Sequence, residues 1–124
     1  MGAILLGAAA SAVCYAAVTT LKPRFGYDDS LDAFGIHGVG GIVGAIGTGI
    51  VTSPALGGQG AADFDMAGQI GVQLAAVGTT IVWATVGTVV AVSVAKAVTG
   101  LRVSSDVERE GLDLGEHGER AYNP

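Results

Sequence analysis

An all-α membrane protein with three transmembrane helices is the fold class this sequence predicts. Half of the 124 residues are hydrophobic, only 14 % are charged, and the mean hydropathy is +0.56. These are membrane-protein values, and a soluble chain of this composition would have to hide too much apolar surface. Three stretches carry no Asp, Glu, Lys or Arg, at residues 3–21, 33–62 and 66–95, and a spanning helix needs roughly 20 apolar residues. Helices are therefore expected over about residues 3–21, 31–52 and 66–97, with a transmembrane region over 1–99 and a cytoplasmic tail over 100–124.

The first helix is rich in small residues, among them Gly7, Ala8, Ala10, Ser11 and Ala12, which let a neighbouring helix approach closely. Its apolar run could pass for a secretory signal, but no basic segment precedes it and it continues to Leu21, ending at Lys22-Pro23-Arg24 as a stop-transfer flank would. A retained span is expected, ended by Pro23, with Gly26 breaking the loop that follows.

The second helix opens on Asp29 and Asp32, an acidic pair suited to capping free N–H groups and complementing the positive end of the helix dipole. Direct contact with a transported cation is the other role open to them. This helix should stop near Thr52, ahead of the turn formers Pro54, Gly57, Gly58 and Gly60. His37, Gly40, Gly41 and Gly44 recur on it at spacings of three, four and seven, so they are expected on one face. Gly40 and Gly44 form a GxxxG pair, a weak packing signal because glycine is common in membrane helices.

The third helix has enough β-branched residues to pass for a strand in water, but its uncharged length argues for a helix unless a closed barrel exists. Gln69 and Gln73 lie four apart near one end, where they suit interfacial polarity or a bond to a neighbouring helix, and Trp83 falls near mid-span as a packing residue. Beyond it the tail is polar. Ser105-x-x-Glu108 reads as a capping box and Gly111 as the stop of the short helix it starts.

Charge and cysteine usage narrow the function classes. A net charge of -5 without a Lys/Arg cluster argues against nucleic-acid binding. Lys22 and Arg24 follow the first span, Lys96 and Arg102 follow the third, and residues 53–65 contain neither Lys nor Arg. The positive-inside rule then places the N-terminus outside and the first loop and tail in the cytoplasm. One cysteine permits no intrachain disulfide, and Cys14 in an apolar span reads as a small hydrophobe. His37 and His117 are 80 positions apart with no ligands at metal spacing, so neither a metal nor another cofactor is expected.

His37 is the ionisable side chain inside a run long enough to cross a bilayer, and such groups commonly line polar paths. It either donates to a carbonyl and holds the bundle together, or borders a permeation path where neutral imidazole both donates and accepts a hydrogen bond. The chain has no GxSxG, HExxH or phosphate-binding loop, and the span of His37 supplies no nucleophile or carboxylate, so no enzyme is expected. Open alternatives to transport are a small membrane module that docks onto other helices and a fragment with no transport of its own.

The segment DDSLDAFGIHGVGGIVGAIGTG resembles the part of Amt/Mep ammonium transporters that carries the second histidine of their twin-histidine pair. The LKPRFGYDD exit of the first span, the FDMAGQIGVQL run and the HGERAYN tail are similar as well. The resemblance implies the last three helices and tail of an eleven-helix transporter of the plasma (inner) membrane, assembled as a homotrimer with one pore per subunit. It implies ammonium or ammonia as substrate, the lipid bilayer and the remaining helices as surroundings, and a PII-type protein as a regulatory partner of the tail. His37 would be the pore histidine, Ala33 would border the pore one turn earlier, and Asp32 matches the family's aspartate five residues before the histidine. The partner histidine would then lie in helices outside these residues.

Overall fold

The computed structural model describes residues 1–120, so residues 121–123 of the HGERAYN motif lie outside the described residues. Among the described residues the chain is all helical, with three helices long and apolar enough to span a membrane. These are α1 (Gly2–Phe25), α2 (Phe34–Val51) and α3 (Met66–Val98). The tail holds two short helices, α4 (Ser105–Glu110) and α5 (Leu112–Gly115). The chain divides into two compact units, Met1–Ile81 and a second beginning at Val82.

Hydroxyl groups on the spans satisfy themselves locally. Ser11, Thr19, Thr48, Thr79 and Ser93 each donate to the carbonyl four residues earlier, at 2.6–2.9 Å. With that bond made, a polar side chain can sit on an apolar helix without water.

Within the first unit α1 and α2 pack antiparallel, and glycine sets how closely. A Cβ added at Gly2 would lie 3.1 Å from Val51 Cβ, at Gly40 3.0 Å from Cys14 Sγ, and at Gly35 2.8 Å from Val18 Cγ2; at Gly47 it would overlap Leu6 Cδ1. The contacts run in opposite directions along the two helices, so one seam joins both ends of the pair. Close backbone approach of this kind replaces the hydrophobic drive that lipid does not supply.

Both helices of the pair contain a π turn, at Ala17–Leu21 in α1 and at Phe34–Gly38 in α2. In each the N–H after the turn bonds five residues back, Lys22 to the Ala17 carbonyl and Val39 to the Phe34 carbonyl. The first π turn accounts for Pro23 lying inside the helix rather than ending it. The widened turn restarts the ladder at Lys22, and Pro23 then occupies a first-turn position, where its missing N–H and fixed φ are tolerated. The helix stops instead at Gly26, whose φ of +62° is the left-handed stop that glycine adopts without strain.

Between α2 and α3, residues 52–60 fold tightly. Gly57 takes φ +81°, Gly58 N–H donates to the Ser53 carbonyl at 3.0 Å and Gly60 N–H to the Thr52 carbonyl at 2.9 Å. Asp65 then caps α3 by accepting from Ala67 N–H at 3.1 Å. In α3 Gln69 and Gln73 are half-buried, and both lie against buried Gly49 of α2. Trp83 is exposed.

The tail helix starts one residue earlier than the capping-box pattern indicates. Ser104, with extended backbone angles, is the cap, and its hydroxyl accepts from Val107 N–H at 3.4 Å. Glu108 forms an ion pair with Arg102 rather than reaching back to the cap, because a guanidinium is the stronger donor. That hydrogen bond holds the Glu108 carboxyl below the usual carboxylate range. Gly111, at φ +109°, separates α4 from α5.

Candidate functional site

The turn that brings the chain into α2 is built by its two aspartates, which do different things. Asp29 accepts from the N–H groups of Ala33 at 2.8 Å and Phe34 at 2.9 Å, one through each carboxylate oxygen. Asp32 has φ +54°, a left-handed conformation that Asp tolerates better than most residues with a Cβ. Its carbonyl accepts from Ile36 N–H at 2.9 Å, and its carboxylate receives Lys22 Nζ at 2.6 Å. Tyr27 stacks edge-on against Phe34, with ring centroids 5.7 Å apart, closing the loop over the same end.

His37 sits inside the π turn of α2, on the part of the helix that α1 does not cover, and is exposed, as is Ala33. Among the described residues nothing hydrogen-bonds its imidazole. A Cβ added at Gly41 or Gly44 would meet nothing within 4 Å, so open space continues along the helix beyond the histidine. Gly40 does not share that space, since it lies on Cys14.

The departure of Gly40 has a simple cause. A π turn holds one more residue than an α turn, which rotates everything after it by about 100° relative to an uninterrupted helix. From buried Gly35, α-helical spacing would put residues 39 and 46 on the seam; with one residue inserted these become Gly40 and Gly47, the glycines observed there. Cys14 adds a further tie, its thiol donating to the Ile36 carbonyl inside the π turn at 3.7 Å.

An apolar hollow lined by Val13, Ala16, Ala17, Thr20, Leu21 and Val39 opens between α1 and α2, and neither His37 nor Ala33 borders it. Among the described residues no group of three or more His, Cys, Asp or Glu side chains gathers where a metal ion could be held. The arrangement is thus one uncovered imidazole on an apolar helix, beside small residues, on a backbone fixed from the other side by α1.

The family model of the Ammonium Transporter Family matches residues 1–122. The chain belongs to that family. It is 48 % identical over 123 residues to an ammonium transporter of Aquifex aeolicus, covering 99 % of this chain and 29 % of that protein. It is 40 % identical to an ammonium transporter of Bacillus subtilis, covering 96 % of this chain and 30 % of the relative. The ammonium transporter Amt1 of Archaeoglobus fulgidus is likewise 40 % identical, with 98 % and 31 % covered. The chain therefore spans about a third or less of the length of these relatives. No solved structure matches. These relatives are named as transporters, and an integral membrane protein of the ammonium transporter family accords with the three apolar helices.

Proposed function

We propose that this chain is the C-terminal three-helix portion and tail of an ammonium transporter, and that His37 lines the path ammonia takes through it. The observation that carries the reading is the division of α2. Its seam side is closed by α1 through Gly35, Gly40 and Gly47, while exposed His37 stands with Gly41 and Gly44, where a Cβ would meet no atom of the described residues within 4 Å. Among the described residues its imidazole makes no hydrogen bond to α1, which supports this reading over one in which it only joins α1 to α2.

The chemistry follows from charge. Moving a bare cation into an apolar pore costs several kcal/mol or more in lost hydration. Ammonium can give up a proton and cross as neutral ammonia, whereas K+ has no proton to release, so selectivity rests on proton chemistry rather than on ion size. The His37 imidazole would offer ammonia a hydrogen-bond partner in such a pore, and Ala33, one turn earlier, would keep the wall smooth. The remaining helices would supply the opposite wall, including the partner histidine. The family reading extends to a homotrimer in the plasma (inner) membrane with the N-terminus of this segment outside. The tail would then be cytoplasmic, where it communicates between subunits and meets a PII-type regulator.

The test is His37→Ala in the complete transporter, with ammonium flux and its selectivity over K+ measured per inserted molecule. Altered conduction or selectivity with normal insertion is expected. Unchanged flux and selectivity would overturn the assignment.

A further inference from the structure

We infer that Lys22 and Asp32 are a positioning pair that sets the π turn holding His37, a role that rests on the reading of His37 as a pore residue. Lys22 closes the π turn of α1, Asp32 precedes that of α2 by two residues, and the two π turns pack on each other where Gly35 meets Val18. The ion pair thus clasps the same end of the seam from which His37 projects.

Three features distinguish this pair from an ordinary surface bridge. Its partners are ten residues apart, Lys22 on α1 and Asp32 in the turn before α2, at 2.6 Å and 28 % and 30 % exposed, where water weakens a charge-assisted hydrogen bond less than at a fully exposed pair. Helix capping is already done by Asp29, which takes the N–H groups of Ala33 and Phe34, so the Asp32 carboxylate is left to Lys22. The backbone of Asp32, held at φ +54°, supplies the carbonyl that accepts Ile36 N–H at 2.9 Å, the bond that leads into the π turn.

The side chain of Asp32 is therefore fixed to α1 while its main chain launches α2. Any loosening of the clasp is transmitted over five residues, through Ile36, to His37. The Cys14 thiol on the Ile36 carbonyl and Val18 on Gly35 complete the support from α1. A reacting or conducting group held this way keeps its place only as well as the shell behind it.

The experiment compares Asp32→Asn, Lys22→Met, their combination and Lys22→Arg in the complete transporter, with His37→Ala as control. Two quantities are read per inserted molecule: the maximal rate and KM for ammonium, and the rate at which diethyl pyrocarbonate modifies His37, followed by mass spectrometry. Asn keeps the left-handed backbone open to residue 32 and removes only the charge. The expected result is a several-fold fall in maximal rate with KM unchanged, together with a changed rate of His37 modification. The double variant should be no worse than either single one, and Lys22→Arg should behave as wild type.

Wild-type rate and wild-type His37 reactivity in inserted Lys22→Met would overturn the inference. So would losses that merely follow the amount of protein inserted, which is what a purely structural role gives. If Asp32→Asn fails to insert, Lys22→Met decides alone, because it leaves residue 32 intact. An unaffected His37→Ala would instead defeat the pore reading itself, whereas an impaired His37→Ala beside a normal Lys22→Met would defeat only the positioning role.

Discussion

The two sides of α2 are made of the same residue type and do opposite things. On one, Gly35, Gly40 and Gly47 are missing side chains that α1 fills with Val18, Cys14 and Leu6. On the other, Gly41 and Gly44 are missing side chains that nothing among the described residues fills, and the histidine stands among them. Glycine on a membrane helix thus has two meanings, contact and clearance, and its partner rather than its spacing decides which. The contact side ties the two helices together, and the clearance side leaves open space beside an imidazole.

The largest effect should come from filling the contact side. Gly47→Leu must displace Leu6, and overpacking of this kind costs about 1–3 kcal/mol. Thermal unfolding of the chain in detergent should show a clear drop in stability; an unchanged melt would mean that the seam is not formed as described. Next in size is the start of the helix that both sides share. Asp29→Ala removes the acceptor for two N–H groups and should lower stability by about 1 kcal/mol, with Asp29→Asn recovering most of it in the same melt.

Filling the clearance side should do the reverse of filling the seam. Gly44→Ala is expected to change the stability of this chain by no more than about 0.5 kcal/mol, while ammonium flux through the complete transporter falls. Equal stability losses at Gly44 and Gly47 would erase the distinction between the two sides.

The smallest effect lies in the tail. Because Arg102 lowers the Glu108 carboxyl below the usual carboxylate range, the folded tail favours the ionised form. The contribution of that pair is complete above the ordinary carboxylate range and is lost as pH falls through the lowered value. Amide exchange at Val107, which bonds to the Ser104 cap, should therefore stay slow at mildly acidic pH and quicken only under strongly acidic conditions, and Glu108→Gln should remove that dependence.

Much of the fold was legible because uncharged length is a strong signal. The three spans follow from where Asp, Glu, Lys and Arg are absent, and His37 stands out as an ionisable group within one of them. What escaped sequence reasoning traces mainly to the two π turns, which have no residue signature. Extrapolating an even 3.6-residue period through Phe34–Gly38 puts Gly40 beside His37, when the extra residue carries it to Cys14. It likewise hides Gly35 and Gly47, which look no different from the other glycines until α1 is placed against them. Pro23 reads as a helix stop for the same reason, since nothing in the letters announces the widened turn before it.

The pairing of Lys22 with Asp32 was also out of reach, because each residue had a sufficient local explanation, one as a topology signal and the other as a cap. Only the left-handed backbone at Asp32, with Asp29 already on the free N–H groups, frees its carboxylate for another helix. Ser104 displaced Ser105 as the tail cap for a comparable reason, two adjacent serines being equivalent in sequence and distinguished only by backbone angles.

The most direct test asks whether the clearance beside His37 lies on the route of the substrate. In the complete transporter with Cys14→Ser, a cysteine is placed at position 41 and treated with methyl methanethiosulfonate, a small neutral thiol reagent, while ammonium flux is followed. Modification of Gly41→Cys should block flux, and the same reagent should leave the Cys14→Ser parent unaffected. Full modification at position 41 with undiminished flux would contradict that.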